Sequence, residues 1–227
     1  FSGNAPVDAY AAALNCIDKG ETIEVAEKHL VEGWANGMSR HLHHRIRRLG
    51  GSDPALAPIT KARARLVRAA WEHHEAGRYE AVLPLLFAQV DGLVIDATEG
   101  RGFFSNHDKA TIIDDETIAG LDESLTVARS WFNRSERSTL LAGDGRRHAV
   151  LHGRDLGYDT EVNAVRVWAL LAAVVDLVTP MYERLISDRA LSQAARDAGL
   201  RVDDAQLDRA VARLAEENRA TPAQLRA

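Results

Sequence analysis

The stretch "GRYEAVLPLLFAQVDGLVIDA", residues 77–97, decides between a helical and a sheet protein. Its apolar residues recur at spacings of three and four with no sustained alternation, which is the period of a helix. The segment predicts a helix over 79–98 that is apolar almost all round and therefore belongs in a core. Asp91 lies inside it, and a carboxylate in such surroundings has to find a cation or hydrogen-bond donors. Two outcomes are expected for Asp91: an ion pair inside a bundle, or a supporting position that holds an arginine or histidine of a site in place.

The same spacing continues in both directions. It predicts further helices over 6–19, 22–49, 60–76, 115–132 and 160–187, then two short ones beyond 187 joined at 199–203. The fold class is all-α, an antiparallel helical bundle with extra helices at both ends. Gly20, Gly50 and Gly77 stand where helix C-terminal caps are expected. "GGSDPALAP", 50–58, reads as a linker, because paired glycines and two prolines break a helix. The irregular stretch 100–115 is long for a helix connection, and Phe103 and Phe104 give it something to pack. Pro180 should kink the last long helix. Three parts follow: an N-terminal extension over 1–55, a bundle over 56–187 and a C-terminal hairpin over 188–227.

Composition narrows the function classes. At 227 residues and 46% apolar content the chain can bury a sizeable core. Its longest uninterrupted apolar run, "VWALLAAVV" at 167–175, falls short of a membrane span, so no membrane segment is expected. Cys16 is the single cysteine, which excludes an internal disulfide and a thiolate zinc site; a cytoplasmic setting is the simplest expectation. "FSGNAP" lacks the basic start and apolar stretch of a signal peptide, and reads as the start of a processed chain or of part of a longer one. The net charge of −5 argues against a general duplex-DNA coat. Arginine nevertheless outnumbers lysine twenty-four to four, leaving local phosphate binding open.

Neither "RHLHHRIRR", 40–48, nor "EHHE", 72–75, completes a metal-ligand set, so no metal and no cofactor are expected. The C-terminal "LSQAARDAGLRVDDAQLDRAV" has the small-residue pattern of a helix-turn-helix. Asp203, Asp204 and Asp208 on its second helix would repel phosphate, so a packing hairpin or partner-binding arm is expected instead.

"DGRRHAVLHGRD", 144–155, gathers arginines and histidines between glycine-bearing bends. Arg147 and His152 form Arg-x-x-x-x-His, but spacings of four to six intervening residues should together give roughly three such pairs by chance in this chain; Arg68 and His73 are another. Placement distinguishes the two, since a short turn pinned between bends keeps Arg147, His148 and His152 near an element end.

Here the chain resembles the HEPN family, whose members carry an Arg-polar-x-x-x-His motif before their last core helix; "RHAVLHG" has that form. The helix opening "YEAVLPLL" and running into Asp91-Gly92 is similar to the corresponding family helix. The resemblance spans about 60–187. It implies a four-helix core paired with a second copy, and a metal-independent endoribonuclease acting on RNA across a homodimer cleft, in bacterial defence or stress response, as in toxins. Arg147 would hold the phosphate and His152 would transfer protons, both as catalytic residues. His148 and Arg146 would bind substrate, Asp91 would orient Arg147, and a regulatory protein or domain would restrain the activity. Rival expectations are a non-catalytic HEPN-like dimerisation, partner-binding or nucleotide-binding module, and a ligand-binding helical regulator.

Overall fold

In a computed structural model the described residues are 7–35, 39–98, 102–104, 129–132, 143, 145–199, 209, 211–213 and 215. Seven helices account for most of them: α1 Val7–Asp18, α2 Ile23–Ala35, α3 Ser39–Leu49, α4 Leu56–Glu75, α5 Tyr79–Thr98, α6 Arg147–Leu151 and α7 Glu161–Asp197. No strand occurs among the described residues, so the all-α reading holds. By compactness the chain divides into Phe1–Ile186 and Ser187–Ala227.

Local chemistry sets the helix ends. The α1–α2 turn closes when the Glu21 and Gly20 amides return to the carbonyls of Cys16 and Ile17, and the Thr22 carbonyl then receives the first bonds of α2. The linker 50–58 is shorter than expected, because α4 begins at Leu56 and runs through Pro58. Proline is tolerated there, since an amide in the first turn has no intrahelical partner to lose. Asp53 takes up two of those orphan amides: its Oδ1 accepts from Ala55 and Leu56 at 2.9 Å each. The single helix expected over 22–49 is two, α2 and α3, with 36–38 outside the described residues.

Pro84 sits inside α5 and cannot donate to the carbonyl of Glu80. The hydroxyl of Tyr158, seventy-four residues further on, donates to that carbonyl at 3.0 Å. The ring of a distant loop residue thus supplies the bond that proline withholds.

The core is built on α5 and α7. Val82, Leu83, Leu86, Phe87, Val90, Leu93 and Val94 of α5 are buried, as are fifteen residues of α7 between Asn163 and Tyr182. Leu42, Ile46 and Leu49, at helical spacing on α3, join the same core, so the basic helix 39–49 packs by one apolar face while its cations stay at the rim. Phe103 and Phe104 are buried as expected of the 100–115 connection, with the Phe104 ring edge-on to Phe87. The helix expected over 115–132 lies outside the described residues except at 129–132, which are helical.

Polar ties cross the apolar layers. Arg63 of α4 donates to Asp96 of α5 at 2.7 Å, and the buried Tyr182 hydroxyl of α7 donates to the same carboxylate at 3.2 Å. The Arg63 guanidinium packs against Gly92; a Cβ there would sit 2.1 Å from Nη1. Arg45 pairs with Asp176 and Arg166 with Glu27, joining α3 and α2 to α7.

Two helices, α5 and α7, are long and apolar enough by composition to cross a membrane. Their apolar faces are core: 78% of the most apolar stretch of α7 and 44% of that of α5 are buried inside the protein. The expected end of α7 at 187 is also revised. The helix passes through Pro180 and continues to Asp197, where Gly199 returns its amide to Arg196.

Candidate functional site

The short helix α6 owes its position to the residues on either side of it. Asp155 is fully buried, and its carboxylate accepts three backbone amides: Gly143 at 3.0 Å and Gly157 at 3.1 Å on Oδ1, Gly145 at 3.0 Å on Oδ2. Asn163, from the first turn of α7, donates to the carbonyls of Gly143 at 2.7 Å and Tyr158 at 3.1 Å. Gly145 has φ +64° and approaches the Asn163 side chain so closely that a Cβ would stand 2.6 Å from Cγ. One carboxylate and one amide therefore knot the strands of chain entering and leaving α6.

Within this frame Arg147, the first residue of α6, turns inward. Its Nη2 lies 3.7 Å from Asp91 Oδ2, and its guanidinium carbon sits 4.5 Å from the centre of the Phe104 ring. Asp91 also accepts the Phe104 amide at 3.2 Å on Oδ1, and Gly102 leaves it room, since a Cβ there would meet Oδ1 at 2.4 Å. The pair is partly exposed, each side chain at 26%, so the ion pair is screened and its packing against Phe104 matters as much as its charge.

The other expected site residues go elsewhere. His152 caps the C-terminus of α6 and is exposed, its ring 4.4 Å from the exposed His148 ring. Arg146 is half-buried at the N-cap position in extended backbone. Asp91 and Arg147 thus face each other, whereas the two histidines pair at the surface. Among the described residues no group of three or more His, Cys, Asp or Glu is placed to hold a metal ion. The side chain of His41 lies outside the description, and His44 is exposed with its ring against His43.

A second constellation was not singled out by motif. His74 is buried on α4, its ring stacked on Trp71 at 5.3 Å and edge-on to Tyr79 at 5.3 Å and Trp168 at 6.3 Å. Its Nδ1 has no hydrogen-bond partner. Burial holds the imidazole below its ordinary range, with Glu161 and Glu75 pulling weakly the other way. The helical phase of Trp71, His74 and Trp168 with their buried neighbours was the available signal.

Comparison with known proteins changes the functional reading. The family model that matches is the SurA N-terminal domain, over residues 173–227. Chaperone SurA of Cupriavidus pinatubonensis is 47% identical over 51 residues, which is 22% of this chain and 10% of that protein. Chaperone SurA of Aromatoleum aromaticum is 55% identical over 47 residues, 21% of this chain and 11% of that protein. The match to chaperone SurA of Methylobacillus flagellatus is 52% over 44 residues, 19% and 10% respectively. The chain spans about a tenth of the length of these relatives. No solved structure matches it.

These findings overturn the HEPN assignment. The matching family and the relatives are of the SurA type and are named chaperones, not nucleases. The endoribonuclease, the RNA substrate, the defence or toxin role and the HEPN-like module are withdrawn with it, and a homodimer is not shown. At α6 Arg147 lies against Asp91 and Phe104 while His152 is exposed, an arrangement that by itself carries no nuclease reading. The roles expected of Arg147, His152, His148 and Arg146 were implied by that resemblance and had no other support. The cytoplasmic setting loses its ground too, because a lone buried cysteine forms no internal disulfide in any compartment.

Proposed function

We propose that the chain contributes to a chaperone-related activity, holding non-native polypeptide rather than processing nucleic acid, and that the segment from residue 173 onward is central to it. The observation that carries this reading is the match of residues 173–227 to the SurA N-terminal domain, together with identities near one half to proteins named as chaperones. From Ser187 to Gly199 every side chain is exposed except the half-buried Ala195, and Leu191 is 68% exposed. One exposed aliphatic side chain is ordinary on a surface helix, so Leu191 is the position at which the reading is tested and not what supports it.

On this reading Asp91 and Arg147 are positioning residues of the scaffold, tying α5 to α6, and Asp155 and Asn163 hold the loops that flank them. His148, His152 and Arg146 are surface and capping positions of the same turn.

The test is aggregation of a heat-unfolding model enzyme followed by light scattering with the intact chain present and no nucleotide. Holding the unfolded state should lower scattering by about twofold or more at equimolar chain, by mass action on the aggregating species. Leu191→Asp should weaken the effect with the fold intact by circular dichroism. Unchanged scattering at roughly tenfold excess of the intact chain refutes the reading.

A further inference from the structure

His74 occupies an unusual place for an ionisable group. It is buried to 7% exposure where α4, α5 and α7 meet, enclosed by Trp71 from its own helix, Tyr79 from α5 and Trp168 from α7. Neutral imidazole fits such a box as a flat, apolar-faced ring. Protonation changes what the box must supply: both ring nitrogens are then donors, and Nδ1 needs an acceptor. None is in reach as a bonded partner of Nδ1, and the neighbouring polar atom of the box, Trp168 Nε1, is itself an unpartnered donor.

We propose that His74 makes the seam of α4, α5 and α7 acid-labile, so that the Phe1–Ile186 unit loosens there when the pH falls through the mildly acidic range. The charged and titratable groups facing it are Glu75 on its own helix, Glu161 at the start of α7 and the Tyr79 phenol of α5. Both carboxylates, and the face of Trp71 under the ring, favour the imidazolium; burial opposes it and prevails. The sign follows. An imidazole held below its ordinary value in the folded state binds its proton more readily when unfolded, so stability is full above about pH 6.5 and declines as the pH drops toward the folded-state value. Each unit of depression is about a tenfold loss in the folded-to-unfolded ratio. The device does not rest on the chaperone reading, because His74, Trp71, Tyr79 and Trp168 all precede the matched segment 173–227.

Two measurements on the intact chain test it. Thermal midpoints from about pH 7.5 to pH 5 should fall by several degrees in the wild type and less in His74→Phe, which keeps the flat ring and removes the titration. The imidazole carbon resonance of His74, followed by NMR in the unaltered protein, should titrate below the ordinary histidine range; this arm stands even where His74→Phe fails to fold. An equal fall in both proteins overturns the proposal. So does a His74 resonance titrating at or above the ordinary value.

Discussion

Asp155→Ala is expected to be the most costly single substitution near α6. The carboxylate is fully buried and accepts three amides, from Gly143, Gly145 and Gly157. A hydrogen bond to a charged group is worth about 1.5–3 kcal/mol, and an orphaned buried donor costs a similar amount. Three at full value would overshoot, because the Gly143 and Gly157 contacts are only part-buried and water can replace them, whereas Gly145 is buried. The expected loss is therefore about 3–5 kcal/mol, a large share of the roughly 5–15 kcal/mol that holds a domain together. Asp155→Asn is the discriminating control. Its carbonyl oxygen can keep the Gly143 and Gly157 amides, but its amide group then faces the Gly145 donor, so about 1–3 kcal/mol should be lost. Urea unfolding followed by far-ultraviolet circular dichroism reads both, with the slope unchanged if only stability has moved. A loss under about 1 kcal/mol for alanine, or asparagine as damaging as alanine, would refute the knot as a structural anchor.

Tyr158→Phe should cost about 0.5–1 kcal/mol by freeing the Glu80 carbonyl, and less in a Pro84→Ala background, where residue 84 regains its own amide. A double-mutant cycle with no coupling would remove the link between them. Gly92→Ala should destabilise by roughly 2 kcal/mol or more, since the guanidinium 2.1 Å from the new methyl is pinned to Asp96; a neutral result in thermal melts would mean Arg63 swings away freely. Leu191→Asp should leave the melting profile within about 0.5 kcal/mol of wild type, given its 68% exposure, while reducing suppression of client aggregation.

The helices were legible because their signal is distributed. Nine buried residues of α5 repeat one period, and misreading any one of them changes nothing. Boundaries were less so: α4 starts four residues before 60 because Asp53 caps it, a bond that spacing alone does not announce. Asp91 was readable as a carboxylate needing a cation, and Arg147 lies beside it, 3.7 Å away. Function was another matter. An arginine and a histidine five positions apart satisfy a motif in either orientation, and the surroundings of Arg147 include Phe104 and Gly102, both more than forty residues away in sequence. Asp155 is the loop anchor among Gly143, Gly145 and Gly157, and its burial is what the sequence alone did not announce. Beyond residue 187 the expectation of a partner-binding arm came from repulsive aspartates, whereas the match to the SurA N-terminal domain needed comparison with other proteins.

The apolar face that α5 turns into the core has a consequence for how the protein is made. That face shares one core with α7, whose packed portion ends at Ile186, eighty-eight residues after Thr98. At roughly 5–20 residues per second, a ribosome leaves that surface waiting on the order of ten seconds before its cover emerges. The nascent chain is then at its stickiest, and a stall between those two points should send more of the product into inclusion bodies than a stall anywhere later.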